Sequence, residues 1–549
     1  MANTNYDYLA LSHMWGKDHK DQIRLVGSRL PEFTNNVPWK ELSNIYREAL
    51  HITRALGYRY LWIDSLCIIQ DSKDDWEYEA RRMATVYGNC VCNIAYLFPP
   101  SSTPPTRDDP RVWNPCILRP AAGAIPGLYV RHFVDSWRQA FPDEQQDWLV
   151  QRHWPLFSRA WTFQEYLLSP RTILYGHKNL MFQCSELFYD ELLGPVASTS
   201  DTERERGRDL SKSRYFPKTL LCPVVRLEPQ SSSSLALRFL LDWTSLVNEY
   251  RTRTLSFPSD RVIAFAGIAA FYQQISSLDC LAGLWWQHMP LCLLWYVERK
   301  PAALVRGQYP EFKRGEDVHY TTEVTEQGVE NAPSWSWFSV PIWKFWRTSF
   351  LFGDDEPAVM SRSEREPDRS SFSYVYWASA VSYTFGGRSG DQHSSGDGSI
   401  DMAGLHVTLN TIIWPVKQDL PADLAHQFRI IQSSSRFDER LSWDPRLMYH
   451  PDLPTTSRAN SPPRNGVFAL LIEFQIVRTA GDYNIQRRLA GLVLVPGTQA
   501  DTWRRVGVWY LKIRIQGINV KSGEVEIIAR RWKHYSITSS WRTDTLTMA

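Results

Sequence analysis

Apolar and polar positions alternate between two periods over the first hundred residues. Tyr8 to Ser12 is a short apolar run that predicts a strand. Leu42, Ile45, Tyr46, Ala49, Ile52 and Leu56 then recur at helical spacing between Pro38 and Leu56, and Gly57 follows as a stop. Tyr60 to Ile69 is an apolar run with Asp64 in its middle, and reads as a strand covered on both faces. Small polar and acidic residues from Asp71 to Asp75 suit a helix N-terminus. Trp76, Ala80, Met83 and Tyr87 share the face of that helix, and Val91 to Leu97 reads as a third strand. This β-α-β-α-β order predicts an α/β fold with a parallel sheet and right-handed crossovers.

Beyond this unit, Pro99 to Pro126 is Pro-rich and reads as a long loop or insertion. A short helix is expected within His153 to Ser169, capped by Ser158 and ended by Pro170, with strands at Thr172 to Tyr175 and Leu180 to Cys184. The charge run Asp201 to Lys212 and the serine run Ser231 to Ser234 read as a solvated linker. Helical patterns follow at Leu235 to Tyr250, Asp260 to Tyr272 and Asp279 to Val297. From Ser334 onward strands are expected at Phe372 to Phe385, Leu405 to Trp414, Val467 to Val477, Leu489 to Val495, Gly507 to Ile513 and Val525 to Ala529. The expected organisation is an α/β domain over 1–200 with an insertion at 99–126, a linker at 201–234, a helical region at 235–333, and a β-rich domain at 334–549.

Composition narrows the function classes. Of 549 residues, 43% are hydrophobic and 22% charged, which is globular rather than disordered. A net charge of +2 offers no footprint for nucleic acid or an anionic membrane. The richest apolar stretch, Leu278 to Val297, is interrupted by Asp279, Gln287, His288 and Pro290, so no membrane span is expected. The eight Cys form no C-x-x-C pair, and no metal site is expected. The N-terminus is polar and lacks a signal peptide, so a reducing, cytoplasmic location is expected. Dinucleotide-binding, P-loop, nucleophile-elbow and zinc-protease motifs are all missing. Ser12 and His13 are adjacent on a strand and face opposite ways, which argues against a hydrolase dyad there.

Three blocks carry the chemistry. They are Tyr8-Leu-Ala-Leu-Ser-His-Met-Trp-Gly16, Arg59-Tyr-Leu-Trp-Ile-Asp-Ser-Leu-Cys-Ile-Ile-Gln-Asp71 and Ser158-Arg-Ala-Trp-Thr-Phe-Gln-Glu-Tyr-Leu-Leu-Ser169. In this order they resemble the fungal heterokaryon-incompatibility (HET) domain. The resemblance covers Tyr8 to Glu165. It departs at His13, where family members usually carry Tyr, and in having only seven residues before Tyr8, which suggests a missing first strand or a shortened gene model. Asp260 to Ala269, Ala282 to Trp285 and Pro333 to Trp337 resemble segments that commonly follow HET domains.

The HET domain is in turn distantly similar to the TIR domain, a flavodoxin-like α/β fold. That resemblance implies a catalytic carboxylate at Glu165, with Trp161 beside it and Thr162 where TIR enzymes carry Cys. Spacing from Ser158 to Trp161 is one residue longer than in TIR domains. NAD is then the substrate rather than a cofactor. Ser12, Trp15, Gln70, Asp71 and Trp161 are the candidate binding residues. Four of them also have a structural reading: Ser12 as a turn cap, Trp15 as a core lid, Gln70 and Asp71 as helix-cap residues. Asp64 reads as structural. Glu165 reads alternatively as a helix-surface carboxylate paired with Arg159 or Arg171. The implied function is an effector of self/non-self recognition and regulated cell death, self-associating as a homo-oligomer and fired by an unknown protein trigger. A non-enzymatic signalling scaffold or interaction module is the alternative.

Overall fold

The computed structural model describes residues 6–15, 23–97, 116–120, 127–130, 155–176, 180–196, 233–298, 324–350, 370–389, 405–415, 441–451, 463–517 and 542–549, apart from single positions and short gaps within those spans. The linker expected at 201–234 and the strand expected at Val525 to Ala529 lie almost wholly outside them, as does most of the Pro-rich insertion. Within that insertion, Cys116–Arg119 pairs with Leu128–Val130 just beyond it.

The N-terminal unit follows the predicted alternation. In chain order it comprises β1 (Tyr8–Ser12), α1 (Asn44–Ala55), β2 (Tyr60–Ile63), α2 (Lys73–Asn89), β3 (Cys92–Tyr96), α3 (Trp161–Leu168), β4 (Arg171–Tyr175), β5 (Leu180–Cys184), β6 (Phe188–Asp190) and β7 (Gly194–Val196). Ser43 caps α1 by accepting from Tyr46 N, and Ser72 caps α2 by accepting from Asp75 N. The seven strands form one sheet in the order β2-β1-β3-β4-β5-β6-β7. The first four are parallel and the last three antiparallel, so the sheet is mixed rather than wholly parallel.

The pleat divides β1 and β3 between two layers. Leu9, Leu11 and Ile94 meet Tyr46 and Ala49 of α1 on one face. Ala10 meets Met83 and Tyr87 of α2 on the other.

Two sequence expectations change here. The apolar run Tyr60 to Ile69 is not one long buried strand. β2 is the sheet's edge and stops at Ile63, and a single helical turn spans Asp64–Cys67. Asp64 causes the turn: its Oδ1 accepts the Ser65 N–H at 2.6 Å. The stretch Asp279 to Val297 is not helical. It forms short bridges at Cys280–Leu281 and Leu284–Trp285, two 3₁₀ turns, and the strand Trp295–Glu298. Ala282 and Gly283 have φ of 46° and 83°, outside any right-handed helix. Trp243 and Trp337 both donate to Gly283 O, at 2.9 and 3.1 Å, and Ser336 donates to Ala282 O at 2.6 Å.

The expected helices appear as α4 (Ser233–Arg251) and α5 (Ile263–Ser276). The β-rich half forms a nine-stranded sheet containing β8 (Ser370–Tyr376), β9 (Ser379–Phe385), β10 (Arg388–Ser389), β11 (Leu405–Pro415), β12 (Leu441–Pro451), β13 (Val467–Arg478), β14 (Tyr483–Pro496), β15 (Thr502–Gly517) and β16 (Arg542–Met548). β13, β14, β15, β16 and β11 pair in sequence, and β11 pairs back to β13. The pairings of these strands therefore close into a ring, joined between β15 and β16 only at Thr547 and Met548.

One apolar core joins α3 to the helical region and to the strands of the β-rich sheet. It runs from Phe163 and Leu167 of α3, through Trp243, Phe265, Tyr272, Trp285 and Trp337, to Leu409, Leu492 and Leu546 of the ring. α5 packs on α2 and α3, and Gly267 makes that approach possible. A Cβ there would sit 2.4 Å from Ala84 Cβ and 2.7 Å from Gln164 Oε1. Gly267→Ala is therefore expected to destabilise the protein by about 1–3 kcal/mol in urea unfolding, despite its better helix propensity. Gly88→Ala in α2, where a new Cβ has open space, should be neutral or stabilising. Equal effects at the two positions would contradict this packing.

Candidate functional site

The order β2-β1-β3-β4 makes the chain leave β1 in one direction and pass back over it to reach β3. A topological switch point therefore lies between β1 and β3, and ligand crevices in open α/β sheets form outside the strand carboxyl ends at such points. Ser12 is the last residue of β1. The α2/α3 face of the sheet presents Ala10, Ser12 and Asn93, with Ala10 opposite Asn93 in register.

Glu165 lies against this face. α3 is not a surface helix: every residue from Thr162 to Leu167 is buried, and Glu165 is only 5% exposed. The helix is enclosed by the sheet, α2 and α5, so its polar Thr162, Gln164 and Glu165 lie inside the protein. Ser12 Oγ donates to Glu165 Oε2 at 2.5 Å. Asn93 Nδ2 donates to Ser12 Oγ at 3.0 Å and to Glu165 O at 3.4 Å, and Ser169 Oγ donates to the same carbonyl at 2.6 Å. Tyr87 donates to Leu11 O at 3.1 Å and hydrogen-bonds within the same group.

Burial pushes the Glu165 carboxyl from 4.5 up to about 7. The Arg159 cation, the Ser12 hydrogen bond and Tyr87 oppose that rise, and the Asp64 charge adds to it. A carboxyl poised near neutrality can act as acid or base, or as a stabilising anion, without a metal. Among the described residues no cluster of His, Cys, Asp and Glu could hold a metal ion.

A second set of contacts ties the three sequence blocks together. Tyr46 OH meets His13 Nε2 at 2.9 Å and Ser65 Oγ at 2.6 Å. His13 Nδ1 lies 3.9 Å from Asp64 Oδ1, and Trp15 Nε1 donates to Asp64 Oδ2 at 3.3 Å. Burial holds His13 below its usual value, against the pull of Asp64 and with the help of Arg159. The ring is therefore neutral at pH 7, and its approach to Asp64 is not an ion pair. Arg159 Nη1 donates to His13 O at 2.7 Å.

Several candidate residues stand elsewhere than the sequence suggested. Gln70 and Asp71 are not at a strand end. Gln70 Nε2 donates to Asp64 O and Ile68 O, and Asp71 Oδ1 accepts from Gly27 N at 2.8 Å, so both latch the loop after the Asp64–Cys67 turn. Asp64, read as mid-strand, is instead the first residue beyond β2, at the crevice end of the sheet. Trp161 packs edge-on to Trp76 at 6.1 Å and donates to Asp260, which fixes α3 rather than opening a stacking platform. Ser158 does not cap α3; its hydroxyl donates to Pro155 O.

The α3 N-terminus is instead completed by chain nearly a hundred residues downstream. Thr254 O accepts from Ala160 N at 2.9 Å, and Thr254 N donates to Ser158 O at 2.6 Å. Arg253 lies over the Phe163 ring at 4.6 Å and donates to Thr162 Oγ1 at 3.3 Å and Glu249 Oε1 at 3.0 Å. Asn93, Tyr87 and Arg253 were not among the sequence candidates. Asn93 had a signal, as a lone amide inside the apolar run Val91 to Leu97; Arg253 had none.

Residues 8–165 match the family model described as heterokaryon incompatibility protein (HET). The chain contains a HET domain. Heterokaryon incompatibility protein 6, OR allele, of Neurospora crassa is 27% identical over 97 residues, which are 17% of this chain and 14% of that protein. The match thus spans about a seventh of that relative's length. No solved structure matches the chain. The Ser12–Glu165 hydrogen bond joins the first and third blocks of the HET domain, whereas Arg253 and Thr254 lie outside the matched residues.

The raised Glu165 carboxyl makes stability depend on pH. Between pH 4.5 and about 7 the folded protein holds a proton that the unfolded chain releases, so this group's contribution is full below pH 4.5 and is lost as pH rises through 7. Glu165→Gln removes the dependence. Relative to wild type it should gain stability on the order of 3 kcal/mol between pH 4 and pH 8. Urea unfolding of both proteins across that range checks this; a constant difference would contradict it.

Proposed function

We propose that the HET domain is the effector of a fungal self/non-self recognition system, heterokaryon incompatibility, and that it acts by TIR-like cleavage of NAD at the nicotinamide–ribose bond. The observation that carries this reading is the Glu165 carboxyl, poised near neutrality and hydrogen-bonded to Ser12 at the sheet's switch point. The name of the Neurospora relative supports the biological setting.

In the proposed reaction the C1′–N bond breaks and nicotinamide leaves as a neutral base. Positive charge develops on the ribosyl carbon. The Glu165 carboxylate stabilises that charge, and water adds to C1′ with release of a proton, giving ADP-ribose. Ser12 orients the carboxylate, and Arg159 favours its ionised form. Because Glu165 is nearly enclosed, substrate enters only when the crevice opens, and self-association of HET domains in the cytosol provides the occasion. The helical and β-rich regions sense the protein trigger, and loss of NAD leads to regulated cell death.

The same enclosure favours a second reading, a HET domain that signals as a non-enzymatic scaffold. Nicotinamide release separates the two. Full-length protein concentrated to promote assembly should liberate nicotinamide from NAD, and Glu165→Gln should slow this by about a hundred- to a thousandfold. Intact NAD with folded, assembled wild type, or equal rates for the two proteins, selects the scaffold.

A further inference from the structure

We propose that Asn93 is a positioning residue for Glu165, acting through the Ser12 hydroxyl. Asn93 sits in the middle of β3, an internal strand, and is fully buried. An apolar side chain there would pack without a polar atom to satisfy. The amide is instead aimed at the carboxyl-bearing helix. Its Nδ2 has two acceptors, Ser12 Oγ and Glu165 O, which fix the amide's orientation and leave Oδ1 without a partner among the described residues. Stability alone does not account for such a residue, since a buried orphan acceptor is a cost.

What the amide provides is direction. A hydroxyl has one hydrogen and two lone pairs. Donation from Asn93 occupies a lone pair of Ser12 Oγ and turns its single hydrogen toward Glu165 Oε2. Asn93 also binds the backbone carbonyl of Glu165 itself, so one side chain sets both the helix position and the hydroxyl rotor. Ser12 is then part of the carboxyl's own hydrogen-bonding, not a free ligand group.

The inference deepens the reading of Glu165 as the reacting carboxyl and rests on it for its catalytic meaning. The groups that bear on this carboxyl are Arg159 before α3, Asp64 after β2, Tyr87 on α2, Ser12 on β1 and Arg253 after α4. Asn93 carries no charge; its hydrogen bonds reach the Glu165 carboxyl group through Ser12 and the Glu165 backbone directly.

The test uses the full chain and the pH dependence of urea unfolding, with Glu165→Gln as the reference that lacks the titration. Asn93→Leu keeps the branched shape of the side chain and removes the donor. It should move the Glu165-linked midpoint upward by about one pH unit, because the ionised carboxyl loses a directed hydrogen bond. Ser12→Ala should give a similar shift, and the double variant should shift no further than Ser12→Ala alone. Asn93→Ser, whose hydroxyl can still donate, serves where Asn93→Leu does not unfold cooperatively, and should leave the midpoint nearer wild type than Ser12→Ala does. A purely structural Asn93 would lower stability equally at every pH. An unmoved midpoint, or shifts that add in the double variant, would overturn the proposal. These outcomes are independent of NAD: the midpoint can shift in a protein that cleaves nothing, and NAD cleavage can survive an unmoved midpoint.

Discussion

The structure turns on a carboxyl enclosed inside a protein core. α3 is buried on nearly every side, between the sheet, α2 and α5, although it carries Thr162, Gln164 and Glu165. That enclosure removes Glu165 from water, raises its proton affinity and leaves Ser12, Asn93 and Tyr87 to meet its hydrogen-bonding needs. Burial outweighs the nearby Arg159 cation, so the carboxyl sits near neutrality instead of in the usual acidic range. The remaining features of the site, from the Asp64 turn to the His13–Tyr46–Ser65 contacts, hold the three sequence blocks around this arrangement.

The HET domain is consequently not self-sufficient at α3. The helix start is completed by Thr254, its first turn is braced by Arg253, and its outer side is covered by α5 at Gly267. All three lie beyond the residues that match the family model. Any change in the helical region is thus in direct contact with the helix that carries Glu165. The closed ring of β11, β13, β14, β15 and β16 belongs to the same apolar core, and Arg505 fastens it by donating to Leu293 O at 2.7 Å and covering the Trp295 ring at 3.6 Å.

The parts legible in the sequence were those governed by local period. β1, α1, α2 and β3 follow from apolar spacing and polar caps, and the blocks around Ser12 and Glu165 point to the site. What failed was what apolar period does not govern. The run Tyr60 to Ile69 is apolar except for Asp64 and Ser65, and its pattern does not say that Asp64 will capture the Ser65 amide as the strand ends. Asp279 to Val297 has a helical composition, but Trp243, Ser336 and Trp337 hold Ala282 and Gly283 in a turn. The alternative surface reading of Glu165 fails because β1, β3 and α2 enclose its side chain, and the start of the helix is completed by chain nearly a hundred residues later. Gln70 and Asp71 were misplaced for the same reason as the strand they were thought to end.

The charge state of Glu165 is the claim on which the account most depends, and infrared difference spectroscopy observes it directly. The carboxylic C=O stretch present in wild type and lost in Glu165→Gln would be followed from pH 4 to pH 9. The account predicts a band that persists through mildly acidic solution and disappears with a midpoint near 7. A band that vanishes near 4.5, the ordinary value for a solvated glutamate, would show that the carboxyl is neither enclosed nor held as described, and would contradict the account.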